Sequence, residues 1–225
     1  MSDAYIVSAC RTAIGGFGGP TKDVPLGTLG ATVMKEALAR AGADKGELDE
    51  VVMGCVLTAT NDLGPARIAE IEAGIPDHIP AFTVNKACGS GLKAVALAAQ
   101  AIQSGDAEMI LAGGMESMNR VPYALVDARW GYRMGNNQVY DLLVGGLTCP
   151  ITKVHMGVTA ENVAERHKIS RQEQDEFAAM SYEKALKAIQ SGKFKQEIVP
   201  LAIPQKRGDP LIFDTDGDPK PTPLD

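Results

Sequence analysis

The apolar positions of the chain alternate between two spacings. Ala4 to Ala9, Val51 to Leu57, Ile79 to Val84 and Glu108 to Ala112 are short apolar runs and read as strands. Between them, Leu26 to Ala41 carries Leu29, Val33, Met34, Ala37 and Leu38 at helical spacing and runs into Gly42, a helix stop. Pro65 to Ala73 reads as a short helix, with proline in its first turn and Gly74 behind it. Leu92 to Ile102 repeats Leu92, Val95, Ala96, Ala99 and Ile102 on a third helical stripe. Strand, helix, strand, helix, strand, helix, strand predicts a parallel sheet with helices packed on it. Val51 to Leu57 lacks alternation, which predicts burial on both faces.

The pattern changes after Ser117. Asn119 to Val144 holds Tyr123, Trp130, Tyr132 and Tyr140 among three arginines with little periodicity, and reads as an excursion from the sheet domain used in subunit contact. Thr159 to His167 is helical. Ser170-Arg171-Gln172-Glu173 is a capping box opening a helix to about Gln190, with Phe177, Met180, Ala185 and Leu186 as its stripe. Glu197 to Ile203 and Leu211 to Phe213 are strand-like, and Asp214 to Asp225, rich in aspartate and proline, reads as open loop.

Composition narrows the classes. Twenty-two basic against 28 acidic residues give a net charge of −6, which argues against general nucleic-acid binding. The four cysteines, Cys10, Cys55, Cys88 and Cys149, are far apart and show no metal-ligand spacing. No apolar run approaches the ~18 residues of a membrane span. The first residues lack a signal-peptide pattern, so a reduced, cytoplasmic setting is expected. The Gly-rich stretch Arg11 to Pro20 lacks both the P-loop and the dinucleotide spacing and reads as a surface loop.

One cysteine stands apart. Cys88 falls between the run ending at Val84 and the helix from Leu92, flanked by Gly89 and Gly91. A thiol on a strand-to-helix turn faces unpaired backbone N–H groups at the positive end of a helix dipole, which suits a nucleophile. Ligands of parallel sheets bind at the carboxyl ends of strands, where Cys88 lies. The bland alternative is a small buried core residue, but a core cysteine needs no bare backbone beside it. Of the histidines, His78 sits in a Pro-rich turn and His167 at a helix end, both with structural explanations. His155, before a helix, has none. The residues alone yield no general base.

Four segments together resemble the thiolases, the acetyl-CoA acetyltransferases and 3-ketoacyl-CoA thiolases. They are Ile6 to Gly15, Val84 to Val95 with its Asn-Lys-Ala-Cys-Gly-Ser-Gly core, Gly113 to Met118, and His155 to Asn162. The resemblance runs the whole length of the chain. It implies an α/β fold, a thiolase-like βαβαβαββ half layered α/β/α, with an inserted mainly helical loop domain. Residues 1–118 would form the N-terminal α/β domain and 119–225 the loop domain. Cys88 would be acylated by an acyl-CoA and would pass the acyl group to a second acyl-CoA, or in reverse serve thiolytic cleavage. Leu147, His155, Met156 and Lys220 would line the coenzyme A site. No cofactor or metal is implied beyond the coenzyme A thioesters themselves. Arg120 to Met134 would be the tetramerisation excursion, giving a homodimer or homotetramer in fatty acid metabolism.

The chain also departs from the family pattern. No histidine precedes a proline and no cysteine begins Cys-x-Gly, so the activating histidine and the second cysteine of the family are absent. Asp62-Leu63-Gly64-Pro65 stands for the usual Gly-Gln-Asn-Pro, and Gly145-Gly146 for an Asp-Gly. The expectation is a thiolase first half that needs a C-terminal half to turn over. The rival is a non-catalytic acyl-CoA-binding or assembly subunit. A condensing enzyme that uses a carrier protein fits less well, because His155-Met156-Gly157 and the inserted domain suit coenzyme A.

Overall fold

The computed structural model describes residues 3–59 and 64–217. They form two compact units: residues up to Val121 together with Gln196–Thr215, and Pro122–Lys195.

The first unit is built on a three-stranded parallel sheet. Its strands are β2 (Glu50–Gly54), β3 (Ala81–Val84) and β4 (Ile110–Gly114), in the order β3-β2-β4. Val51 pairs with Ala81 on one side and Leu111 on the other. β2 is the central strand, and Val51, Val52 and Met53 are buried, as the unbroken apolar run predicts. Two helices pack against each other and cover the sheet: α1 (Leu26–Ala41) and α2 (Pro65–Ala73). Both keep the bounds read from sequence, and Gly42 and Gly74 end them in the left-handed conformation. Met34, Leu38, Ala66, Ala69 and Ala73 close the core with the sheet residues Val51 and Met53. α1 and α2 approach closely at Gly30, where an added Cβ would lie 2.7 Å from that of Ala69.

Helix α3 (Ser90–Ser104) packs on β2 and β4 with a face the sequence does not announce. Ser90, Ala94 and Ala98 are buried, four residues apart, while Leu92 is 77% exposed. The small residues face the sheet because three glycines bring the backbones together there. A Cβ on Gly54 would lie 2.6 Å from the Ser90 oxygen, and one on Gly114 3.1 Å from the Gly91 Cα. Side chains larger than alanine do not fit under that approach.

The expected strand Ala4 to Ala9 is not formed. Pairing begins only at β1 (Arg11–Thr12), which runs parallel to β7 (Ile198–Val199). Tyr5, Ile6 and Val7 are 76–78% exposed. Apolar composition makes a run β-prone, but a strand needs a second strand for its N–H and C=O groups, and residues 4–10 pair with none among the described residues. This segment instead forms one wall of a cleft of about 700 Å³, whose other walls include Val33, Val95, Ile102, Ile110 and Ala112. Val95 and Ile102 of the α3 stripe thus line a cleft rather than the core. β4 has β2 as its single partner among the described residues, so its outer edge faces this space.

The domain boundary also differs from the sequence reading. Residues from 196 onward were expected in the loop domain, yet β7 pairs with β1, and β8 (Leu201–Ile203) and β9 (Leu211–Phe213) form an antiparallel pair in the first unit. Leu201 and Ile203 bury themselves beside Val24, with Leu29 and Phe213 packed against them. Pro200 interrupts the expected single strand Glu197 to Ile203.

The second unit is mainly helical. A two-residue antiparallel pair, β5 (Tyr123–Ala124) with β6 (Tyr140–Asp141), closes the excursion, whose Trp130 and Met134 are 84% and 97% exposed. Helices α4 (Leu142–Gly146), α5 (Met156–His167) and α6 (Arg171–Gln190) follow. α6 opens on the capping box read from sequence, Ser170 with Glu173. None of its described residues is buried, and Phe177 is 67% exposed.

Candidate active site

Cys88 lies between the end of β3 and the start of α3, with its side chain exposed. The turn that carries it is tied at nearly every residue. Ala87, the residue before the cysteine, has φ +47°, a left-handed conformation that costs a residue with a Cβ roughly 1 kcal/mol. It is held there from both sides. Its N–H donates to Asn85 Oδ1 at 3.0 Å, and its carbonyl accepts from the Ser90 hydroxyl at 2.6 Å and the Ser90 N–H at 3.0 Å. The same hydroxyl accepts from the Lys86 N–H at 2.9 Å, and the Gly89 N–H donates to the Lys86 carbonyl at 3.1 Å. Ser90 is therefore buried for a reason: it clamps the turn while standing first in the helix.

A second layer supports the first. Asn85 Nδ2 donates to the Val56 carbonyl at 3.2 Å. The Glu116 carboxylate accepts the Val56 N–H at 2.8 Å and the Leu57 N–H at 3.1 Å, and lies 3.5 Å from the Cys55 sulfur. These bonds end β2 at Gly54, three residues short of the expected Leu57. Burial, with Glu116 beside it, pushes the Cys55 thiol up to about 12, so this sulfur is an inert core thiol.

In the second unit, three of the four expected coenzyme A contacts come together. The Met156 N–H donates to the Leu147 carbonyl at 2.9 Å, and Thr148 bridges His155. The tight turn between them is built on Cys149, whose carbonyl accepts from the Lys153 N–H at 2.9 Å, while its N–H donates to the Val154 carbonyl at 2.9 Å. Lys220 lies outside the described residues.

His155 has a structural role that the sequence does not disclose. Its Nδ1 accepts the Gly157 N–H at 3.1 Å and caps α5, a position where Ser, Thr, Asp or Asn is usual. An accepting Nδ1 places the proton of the neutral ring on Nε2. Cys149 is a further reactive candidate that spacing did not single out. Its sulfur accepts the Thr152 N–H at 3.4 Å, and the donors of Thr152 and Ile151 hold the thiol below its ordinary value. Asn85, Ser90 and Glu116 were also missed. The signals for them are weak: an asparagine suited to turn chemistry, a serine two residues after the cysteine, and an acid behind Gly113-Gly114.

The model of the thiolase N-terminal domain matches residues 4–224. The chain belongs to the thiolase family. An acetyl-CoA acetyltransferase of Pseudomonas aeruginosa is 50% identical over 98% of this chain and 56% of its own length. One of Cupriavidus necator is 52% identical over 96% of this chain and 55% of its own. Among solved structures, the acetyl-CoA acetyltransferase of Bacillus anthracis superposes with a TM-score of 0.94 at 40% identity, covering 98% of this thiolase chain and 56% of its own. The chain thus spans about half the length of the curated relatives it matches. Among the described residues no helix is long and apolar enough to cross a membrane.

Proposed function

We propose that this chain is the nucleophile-bearing half of a thiolase acyltransferase of the acetyl-CoA C-acetyltransferase type. The observation that carries the reading is the exposed Cys88 on a turn locked at Ala87, at the carboxyl end of a parallel sheet. The Cys88 sulfur attacks the carbonyl carbon of an acyl-CoA; the bond to the coenzyme A sulfur breaks, and that sulfur leaves with the Cys88 proton. The α-carbon of a second acyl-CoA, on losing a proton, forms a C–C bond to the acyl carbon, and the Cys88 thiol is released with a proton restored. Cleavage of a 3-ketoacyl-CoA by coenzyme A is the reverse. In this reading the Cys88 backbone N–H donates to one oxyanion of the reaction. Leu147, His155, Met156 and Lys220 contact coenzyme A in this reading, and no further cofactor is required.

Turnover needs groups these residues do not carry, so the reading calls for a C-terminal thiolase half, as a partner or as a continuation of the chain. The cleft beside β4 supports this, since an apolar space next to an open sheet edge accepts more polypeptide. The exposed aromatic excursion supports a homodimer or homotetramer, and the cytoplasm and fatty acid metabolism are the proposed setting. Intact mass after mixing the chain with acetyl-CoA and the C-terminal half of a relative tests the reading. One acetyl group mapped to Cys88, lost in Cys88→Ala, is expected. Coenzyme A binding with no acetyl adduct overturns it in favour of a non-catalytic acyl-CoA-binding or assembly subunit.

A further inference from the structure

The family nucleophile turn is tied to a carboxylate 28 residues downstream by a continuous set of hydrogen bonds. Glu116 holds the N–H groups of Val56 and Leu57; the Val56 carbonyl accepts from Asn85 Nδ2; Asn85 Oδ1 accepts from the Ala87 N–H; and Ala87 is the left-handed residue that precedes Cys88. Three segments of the sheet's carboxyl end are joined by it: the turn after β4, the turn after β2 and the turn after β3.

We propose that Glu116 and Asn85 are positioning residues for Cys88, acting through the Val56 backbone to keep Ala87 left-handed and the sulfur aimed out of the turn. The inference rests on the reading of Cys88 as the acylated residue. Three observations favour positioning over general stability. Asn85 uses both ends of its amide, one on each side of the gap between two turns, so neither end can shift alone. Glu116 spends both carboxylate oxygens on backbone donors of residues 56 and 57, a segment with no strand pairing of its own. The residue at the end of the series, Ala87 at φ +47°, is the strained one, and its N–H has Asn85 Oδ1 as its acceptor.

Glu116 touches neither Ala87 nor Cys88, which makes the relay testable at a distance. The full chain, its Glu116→Ala variant and its Asn85→Ala variant are compared by residue-resolved amide exchange and by iodoacetamide alkylation. The four cysteines fall on four different tryptic peptides, so each alkylation rate is read separately. The expected result is at least tenfold faster exchange of the Ala87 N–H in both variants. Cys88 alkylation slows at least threefold, while Cys149 alkylation and the exchange of mid-α1 amides stay within twofold. Asn85→Ala combined with Ala87→Gly regains most of the Cys88 rate, because glycine adopts φ > 0 without a tie. Ala87 exchange unchanged in Glu116→Ala, or a loss spread evenly over the chain, overturns the proposal. Where Glu116→Ala does not fold, Glu116→Gln, which keeps the shape and one acceptor, carries the same comparison and gives an intermediate change. Neither readout uses an acyl-CoA, so a chain that takes no acetyl group leaves this result standing, and the reverse holds too.

Discussion

Gly54, the last residue of β2, lies so close to Gly91, the second residue of α3, that a Cβ on Gly54 would stand 2.4 Å from the Gly91 backbone nitrogen. A Cβ on Gly54 would also meet the Ser90 carbonyl carbon and oxygen, which are backbone and cannot swing away. Gly54→Ala must therefore push the start of α3 off the sheet. The expected loss is at the upper end of the ~1–3 kcal/mol typical of overpacking, read as a lower urea midpoint. Gly145→Ala, in open space in the second unit, is the control and is expected to change the midpoint little. Equal midpoints for the two variants would remove the close approach as a cause of stability.

Three of the four thiols are expected to alkylate in a fixed order. Cys149 is held below its ordinary value by the N–H groups around it, whereas burial raises Cys10 and pushes Cys55 up to about 12. At pH 8 the thiolate fraction of Cys149 then exceeds that of an unperturbed cysteine, and the fractions of Cys10 and Cys55 fall short of it. Peptide mapping of a brief iodoacetamide pulse should find Cys149 modified well before Cys10, and Cys55 only after unfolding. Early labelling of Cys55 in the folded chain would contradict the burial of its sulfur.

What the sequence disclosed was local. Leu26–Ala41 and Pro65–Ala73 were legible to the residue because each ends on a glycine whose left-handed cap is a short-range property, and the Ser170–Glu173 box announced α6 in the same way. Cys88 was legible because its glycines sit beside it. The contacts that failed to show are those made across long stretches of chain. Ala4 to Ala9 has strand composition without a strand partner, and the face of α3 was assigned by residue size, whereas Gly54 and Gly114 decide it from elsewhere. Glu116 reaches back 60 residues to Val56, so no window of sequence contains both. His155 was misjudged for a different reason: imidazole is an uncommon helix cap, and no rule of spacing offers it.

His155 as a cap predicts a graded result in the second unit. His155→Ala leaves the Gly157 N–H without its acceptor and is expected to cost about 1 kcal/mol, whereas His155→Asn restores an N-cap oxygen and recovers most of it. Thermal unfolding of the two variants separates the cap from the proposed contact with coenzyme A. The asparagine variant should regain stability without regaining affinity. Recovery of both would make the ring's role purely structural.

Asp49 predicts acid sensitivity in the first unit. Its carboxylate accepts the Glu108 N–H at 2.6 Å and the Met109 N–H at 2.9 Å, and these two bonds hold its pKa below 3.8. A depressed folded value contributes stability that is fully present above the unfolded value of 3.8 and is lost as pH falls through the lower folded value. Urea midpoints measured downward from about pH 5 should fall for the wild type and fall less for Asp49→Asn, which has no such proton to take up. Parallel curves would show that other carboxylates set the acid limb.

Glu70 predicts the opposite sign. It is fully buried, with one oxygen 2.8 Å from Arg67 Nη1 and the other, Oε1, without a hydrogen-bond partner among the described residues. Burial raises its pKa above 4.5 although Arg67 pulls it down. Arg67 also donates to the Ile79 and Asp77 carbonyls, so its loss removes the cation and unties the turn before β3. Arg67→Ala then leaves an uncompensated buried carboxylate, at a cost of roughly 2–4 kcal/mol at pH 7. A raised folded value contributes stability that is fully present below the unfolded value of 4.5 and is lost as pH rises through the folded one. The Arg67→Ala variant should therefore gain stability relative to wild type as pH falls from 7 toward the unfolded value of 4.5, because the buried Glu70 takes up its proton more readily in the folded chain than in the unfolded one. Glu70→Gln in the same background should abolish that pH dependence. If the Arg67→Ala deficit is the same at pH 5 and pH 7, the buried charge is not its source, and the lost bonds to Ile79 and Asp77 account for all of it.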